Sequence, residues 1–151
     1  MLHVALWEPE IPPNTGNVAR LCAATGATLH LIGRLGFRLD DRTLRRAGLD
    51  YWEHVAVRRH VTLADFTGAL GGARLLCFSA RAARPYTDVR YQDGDCLLFG
   101  SESHGLPPEV LARHAEHAFV IPMPAGKVRS LNLATAVGIV LYEALRQLSV
   151  W

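Results

Sequence analysis

The fold of this chain is indicated first by the segment Ser130-Leu131-Asn132-Leu133-Ala134, which opens a long helical pattern. It follows an apolar stretch ending in Ile121-Pro122-Met123 and a short polar loop. Two other segments share this character: Asn14-Thr15-Gly16-Asn17-Val18-Ala19-Arg20 and Leu97-Leu98-Phe99-Gly100-Ser101-Glu102-Ser103-His104-Gly105-Leu106-Pro107. Each places glycine or asparagine at the boundary of a strand or helix. Together the three turns suggest one composite site.

Short apolar runs bounded by turn residues alternate with helical patterns along the chain, as buried parallel strands do. Strands are predicted at residues 2–7, 28–32, 75–79, 96–99 and 118–121. Polar and apolar residues alternate over residues 53–57, which predicts a strand with one solvent-exposed face. Helices are predicted at residues 17–25, 41–47, 63–70, 107–113 and 131–148. The pattern predicts an α/β fold with a mostly parallel sheet and helices on both faces. Ligands of such sheets bind beyond the carboxyl ends of the strands, where Gly100 and Pro122 lie.

The composition is that of a globular protein. With 151 residues, of which 50% are hydrophobic and 20% charged, the chain is predicted to form a single domain over residues 1–151. The net charge of +2 is too small to indicate a nucleic-acid partner by itself. Local basic clusters could form a binding surface, although a solvated face of ordinary arginines is an equal alternative. These clusters are Arg42, Arg45 and Arg46, then Arg58, Arg59 and His60, then Arg81 and Arg84.

The cysteines indicate a reducing compartment. Cys22, Cys77 and Cys96 are odd in number and lie in apolar contexts, so they predict small core residues rather than a disulfide framework. Neither a leader-peptide pattern nor an apolar run long enough to cross a membrane occurs in the sequence. We therefore expect a cytoplasmic protein without a membrane partner.

Taken together, the three segments resemble the signature motifs of the SpoU branch of the SPOUT methyltransferases, in order from residue 2 to about residue 148. Residues 7–17 and 44–51 are similar to extensions in the small single-domain members that methylate the 2′-hydroxyl of the tRNA wobble nucleotide, a cytidine or uridine. The resemblance implies S-adenosylmethionine as methyl donor, S-adenosylhomocysteine as product, a homodimer and the tRNA anticodon stem-loop as partner. It also implies a C-terminal trefoil knot from residue 75 onward, which periodicity alone cannot show.

The first motif carries the candidate catalytic arginine. A helix after Asn14 places Asn17 and Arg20 together, opposite a stripe formed by Val18, Leu21, Cys22 and Thr25. Arginine donates a planar fork of hydrogen bonds and could grip an RNA phosphate, whereas the alternative is an exposed arginine beside a helix-capping asparagine. The resemblance implies that Arg20 is the main catalytic residue. Because arginine is almost never deprotonated at neutral pH, we expect it to bind phosphate and stabilise the developing alkoxide. Asn17, Glu102 and Asn132 are the other candidate catalytic residues: the resemblance implies a structural or substrate role for Asn132, and Glu102 would bind substrate or order the site unless it is a solvated turn carboxylate.

The second and third motifs carry the candidate cofactor pocket. Gly100 and Gly105 bracket a tight loop, and their missing side chains would let a flat adenine lie against the main chain. A P-loop is not predicted, because Leu106 and Pro107 stand where Lys and Ser or Thr would be required. The resemblance implies cofactor contacts for Phe78, Ser79, Gly100, Glu102, Ile121, Met123, Ser130 and Leu131. Phe78 could instead be core, and Ser130 could be the N-cap of the last helix.

Several alternatives bear on the function. A metal site is not predicted, because His114 and His117 lack a recognised ligand set and are read as surface histidines. The same methyl transfer at another tRNA or ribosomal RNA site remains open, as does a non-catalytic RNA-binding homologue. The apolar face of the last helix covers about half its circumference and predicts packing against more than its own sheet, which favours a homodimer. Its residues are Leu133, Ala134, Ala136, Val137, Val140, Leu141, Ala144, Leu145 and Leu148.

Overall fold

The computed structural model describes residues 1–40, 42, 46 and 51–151. Seven strands form one sheet in the order β3-β2-β1-β6-β4-β7-β5, and all six pairings between neighbours are parallel. The strands are β1 His3–Trp7, β2 Thr28–Ile32, β3 Val57–His60, β4 Leu75–Phe78, β5 Arg84–Pro85, β6 Cys96–Phe99 and β7 Ala118–Val120. The parallel α/β sheet predicted from the apolar runs is confirmed.

Helices cover both faces of the sheet, as predicted. They are α1 Pro12–Thr25, α2 Leu63–Leu70, α3 Pro108–Arg113 and α4 Leu133–Gln147, with short 3₁₀ helices at Trp52–His54, Tyr86–Asp88 and Ala115–His117. Alternate strand residues pack on α1 and α4 on one face, and the others pack on Phe66 of α2 and Val110 of α3. The inner strands are therefore buried on both sides, which is why they read as continuous apolar runs. Cys22, Cys77 and Cys96 are free and buried, as expected of core residues.

Two of the predicted boundaries in the first 60 residues are wrong. The first helix begins at Pro12 rather than Asn17, because proline at the first helical positions lacks only an N–H that would have no intrahelical partner. The strand predicted at residues 53–57 lies at Val57–His60 instead, paired with β2 from Leu29↔Val57 to Ile32↔His60. It is an edge strand in which Arg58 and Arg59 are exposed, so its sequence lacks the apolar pattern that would predict a strand.

The last helix also differs from the prediction. It begins at Leu133, and its N-cap is Asn132, whose Oδ1 accepts a hydrogen bond from the Thr135 amide at 3.1 Å. Ser130 lies in the exposed loop before the helix and is not the cap. The two-residue strand β5 was not predicted, since it is too short to show a period. The helix predicted at residues 41–47 lies outside the described residues apart from Arg42 and Arg46, as does Arg45.

Three histidines form a hydrogen-bonded row across β1, β2 and β3. His30 lies between the other two, with its Nε2 2.9 Å from His3 Nδ1 and its Nδ1 2.9 Å from His60 Nε2. His30 is only 3% exposed and contacts the edge of the Phe66 ring. Burial lowers the pKa of His30 to about 4, with smaller contributions from His3, His60 and Arg58. Burial also lowers the pKa of His3 and of His60, so the row favours neutral imidazoles.

A partly buried ion pair lies at the amino-terminal end of the sheet. Asp95, at 1% exposure, accepts hydrogen bonds from Arg74 Nε at 2.9 Å and Arg74 Nη2 at 2.7 Å. The Gln92 amide donates to the same carboxylate at 2.8 Å. These bonds fix the turn that leads into β6, and β6 in turn carries the glycine loop at its carboxyl end.

No helix in the described part of the chain is long and apolar enough to cross a membrane. The trefoil knot stays a prediction from the resemblance.

Candidate active site

The Glu102 carboxylate caps the start of the first helix, although it is far from that helix in the sequence. It accepts hydrogen bonds from the Glu10 amide at 2.8 Å, the Ile11 amide at 2.9 Å and Asn14 Nδ2 at 3.2 Å. Ile11 is the N-cap of α1 and offers no side-chain cap of its own. Backbone N–H groups at a helix start need acceptors, and a negative charge there is favourable. The second motif therefore holds the first one in place.

Asn14 continues this connection to the third motif. Asn14 is 8% exposed, and its Oδ1 accepts a hydrogen bond from Asn132 Nδ2 at 3.0 Å. A carboxylate only accepts hydrogen bonds, so the Asn14 amino group must face Glu102 and its carbonyl must face Asn132. Asn132 Oδ1 is then left for Thr135, as its capping role requires. One chain of hydrogen bonds thus ties the starts of α1 and α4 to the loop after β6.

Asn14 is the site residue that the sequence analysis missed. The helix pattern points to Asn17 and Arg20, which share the exposed face of α1, whereas Asn14 is buried at the start of that helix. The available signal was that each of the three motifs holds an amide or carboxylate next to a predicted helix start.

The Gly100–Gly105 loop corrects one expectation. A Cβ on Gly100 would lie 2.0 Å from the Gly105 carbonyl carbon and 2.2 Å from the Leu106 nitrogen. Gly100 therefore lacks a side chain because its own loop folds back on it, closed by a bridge between Ser101 and Gly105, and not to leave room for an adenine. Gly105 is different: it has φ +68°, and a Cβ there would meet nothing within 4 Å. The open backbone of the loop is at Gly105.

Four of the predicted cofactor residues lie at the carboxyl ends of three neighbouring strands. Phe78 and Ser79 end β4, Gly100 follows β6, and Ile121 follows β7, and β4 pairs directly with both other strands. Phe78 packs in the core, with its ring stacked on Phe99 at 5.1 Å. The remaining side chains are half-exposed or exposed, and they include apolar groups beside a hydroxyl: Ser79, Glu102, Ile121, Met123, Ser130 and Leu131.

Arg20 lies on the exposed face of α1, as predicted. Asn17, Arg20 and Ala24 are exposed, whereas Val18 and Cys22 are buried. The Arg20 guanidinium carbon lies 4.9 Å from the centre of the Tyr51 ring. Within residues 1–40, 42, 46 and 51–151, this guanidinium donates no hydrogen bond to the protein. None of the described residues therefore occupies its N–H groups.

The basic clusters differ in how they are engaged. Arg58 and Arg59 are exposed on the edge strand, and Arg42 and Arg46 are also exposed. Arg84 lies over the Phe119 ring at 4.7 Å and donates to the Glu116 carbonyl.

A cavity of about 670 Å³ lies on the opposite, amino-terminal side of the sheet. Its lining includes Arg74, Arg84, Arg90 and Phe119 but none of the predicted site residues. Among the residues that the structure describes, no group of three or more His, Cys, Asp or Glu side chains is arranged to hold a metal ion.

Comparison with known proteins identifies the relatives of this chain. A model described as the SpoU rRNA Methylase family matches residues 1–142. The tRNA (cytidine(34)-2'-O)-methyltransferase of Escherichia coli K12 is 51% identical over 149 residues, which cover 98% of this chain and 94% of that protein. The enzyme of the same name from Burkholderia pseudomallei is 49% identical over 150 residues, covering 97% and 96% of the two chains.

Solved structures agree with this assignment. A structure described as giving insights into the 2-OH methylation of C/U34 on tRNA has a TM-score of 0.95 and 56% identity, and covers 100% of this chain and 98% of that one. An AdoMet-bound rRNA methyltransferase from Sinorhizobium meliloti has a TM-score of 0.85 and 33% identity, and covers 97% of this chain and 56% of that one.

Proposed function

The chain belongs to the SpoU rRNA Methylase family, and from this we propose that it is a methyltransferase acting on the 2′-hydroxyl of the tRNA wobble nucleotide, cytidine 34 or uridine 34. The observation that carries the proposal is the identity of about half over nearly the whole chain with enzymes named for that reaction. The hydrogen bonds that link Glu102, Asn14 and Asn132 support the proposal, because they join all three motifs at the carboxyl-terminal end of the sheet.

We assign the cofactor site to the carboxyl ends of β4, β6 and β7. S-adenosylmethionine supplies a methyl group already activated by a positively charged sulfur. The open backbone at Gly105 and the half-exposed Ile121, Met123 and Leu131 would hold its nucleoside part, and Ser79 and Ser130 offer hydroxyl groups at the rim. Phe78 supports this pocket from the core.

We assign the catalytic role to Arg20. Its guanidinium binds the phosphate next to the acceptor ribose and stabilises the negative charge that develops on the 2′-oxygen. The proton of the 2′-hydroxyl leaves to phosphate or water, because a guanidinium cannot accept it. Asn17, three residues earlier on the same exposed face, lies where it can bind the same ribose or phosphate.

Glu102, Asn14 and Asn132 are assigned to positioning. They fix the first turn of α1 against the loop after β6 and the start of α4, and α1 carries Arg20. The catalytic arginine and the cofactor loops are thereby held in one frame. Such alignment is a major source of rate enhancement in group transfer.

We also propose a homodimer. The apolar face of α4 that was predicted to pack beyond the sheet does so in part within the protomer, against α1. Ile11 and Tyr142 stay 45% and 42% exposed on the face that carries these two helices, and we place the second copy there. The expected result is a dimer by light scattering at micromolar concentration. A fully active monomer would contradict it.

The RNA partner is assigned to the tRNA anticodon stem-loop. Exposed Arg58 and Arg59 of the edge strand, together with Arg42 and Arg46, supply phosphate contacts, so binding should weaken as salt is raised. A splayed loop nucleotide exposes both its base and its 2′-hydroxyl to such a surface. Because tRNA is a cytoplasmic molecule and the three buried cysteines are free, we propose the cytoplasm as the compartment.

Arg20→Ala tests the proposal. It should remove most methyl transfer from labelled S-adenosylmethionine to tRNA while the calorimetric affinity for S-adenosylmethionine stays the same, since Arg20 is assigned to RNA and not to the cofactor. Arg113→Ala is the matched control, an exposed arginine on the opposite face of the sheet. Full activity of Arg20→Ala, or equal loss of cofactor binding, would show that the assignment is wrong.

A further inference from the structure

We propose that Tyr51 is a positioning residue for Arg20, holding the guanidinium against its ring so that all the N–H donors stay free for RNA. The inference rests on the proposed catalytic role of Arg20. Tyr51 lies outside the three motifs, at the end of the 44–51 segment, and contacts Arg20.

The contact has the separation that such a role needs. The Arg20 guanidinium carbon lies 4.9 Å from the centre of the Tyr51 ring, within the range of a cation–π interaction. A carboxylate partner would fix an arginine equally well, but it would occupy the N–H groups that phosphate requires and cancel the positive charge. An aromatic ring does neither, because it carries no charge and does not take up the N–H groups as a carboxylate would.

Tyr51 is itself anchored to the helix that carries Arg20. It is half-buried, and its carbonyl accepts a hydrogen bond from the His54 amide at 2.8 Å, which starts the 3₁₀ helix Trp52–His54. Trp52 packs on the core cluster that contains Val18 and Cys22 of α1. The ring and the arginine are therefore fixed to the same body.

An exposed arginine side chain otherwise samples many rotamers. Limiting that freedom before RNA binds should raise the fraction of encounters in which the guanidinium meets the reacting oxygen. The contribution should appear in kcat for methyl transfer and leave the KM for S-adenosylmethionine unchanged, since neither residue is assigned to the cofactor.

The test compares Tyr51→Phe, which keeps the ring, with Tyr51→Leu, which removes it. With the full chain and tRNA under single-turnover conditions, Tyr51→Phe should keep nearly full activity, whereas Tyr51→Leu should lose on the order of tenfold in rate. Thermal unfolding and the affinity for S-adenosylmethionine check that both variants are folded. If Tyr51→Phe loses as much as Tyr51→Leu, the hydroxyl is what matters and the inference is wrong.

A double-mutant cycle shows whether Tyr51 acts through Arg20. In an Arg20→Ala background, Tyr51→Leu should cause little further loss, because the group it positions is gone. The same tenfold loss in both backgrounds would mean that the ring contacts RNA directly, and would overturn the inference. Wild-type activity of Tyr51→Leu alongside an inactive Arg20→Ala would also overturn it while leaving the proposed function intact.

Discussion

The histidine row predicts that the protein loses stability as the pH falls below about 6.5. His30 has a pKa of about 4 in the folded chain and an ordinary value of 6.5. Between these values the unfolded chain binds a proton that the folded chain does not, so lowering the pH favours unfolding. The contribution of His30 to stability is fully present above pH 6.5, the unfolded pKa. It is lost progressively as the pH falls to about 4, the folded pKa. The whole shift corresponds to about 3 kcal/mol, of which about 2 kcal/mol is lost by pH 5.

Urea unfolding at pH 7.5 and pH 5, followed by tryptophan fluorescence, measures this loss. In His30→Gln, whose side chain does not titrate but can still bridge His3 and His60, the difference between the two pH values should shrink by about 2 kcal/mol. His54→Gln is the matched control, since His54 is exposed on its 3₁₀ helix. The reasoning is refuted if His30→Gln shows the same pH-dependent loss as the wild-type protein.

Three further substitutions test the packing of the site and its frame. Asn14→Asp places a second carboxylate within hydrogen-bond distance of Glu102, so it should destabilise the fold by about 2 kcal/mol and reduce methyl transfer; unchanged thermal unfolding and activity would contradict the capping role. Gly100→Ala should destabilise by about 3 kcal/mol or more, because its Cβ would overlap the backbone of the following loop, and a variant of wild-type stability would show that this loop is not tight. Asp95→Asn removes the negative charge that pairs with Arg74 and should reduce the free energy of unfolding in urea by about 1–2 kcal/mol, since the Arg74 side chain that remains is 27% exposed, whereas a loss below about 0.5 kcal/mol would mean that the pair is effectively solvated.

The parts of the fold that could be predicted are those in which burial produces a recognisable pattern of apolar residues in the sequence. The inner strands are apolar on both faces, so β1, β2, β4 and β6 were found close to their true bounds. The edge strand β3 was placed too early because Arg58 and Arg59 face solvent and interrupt the pattern. Strand order could not be read at all, since nothing local to β1 shows that β6 lies beside it.

In the candidate site, too, features with a local sequence signal could be predicted and features that depend on tertiary contacts could not. Its three motifs were identified because glycine and asparagine mark strand and helix ends, and the structure brings Glu102, Asn14 and Asn132 together. That Glu102 caps a helix starting some 90 residues earlier in the chain depends on tertiary contacts, so it leaves no local signal. The direction of the missing Gly100 side chain is equally invisible, because a tight turn and a ligand contact both favour glycine.

Two substrate tRNAs that differ by a single oxygen atom, one with a ribose and one with a 2′-deoxyribose at the wobble position, show whether the wobble 2′-hydroxyl accepts the methyl group. Each is incubated with the protein and S-adenosylmethionine carrying a labelled methyl group. We predict that the label enters the first tRNA at the wobble nucleotide and does not enter the second, because the 2′-oxygen is the proposed acceptor. Undiminished incorporation into the deoxy-substituted tRNA would place the methylated atom elsewhere and contradict the account.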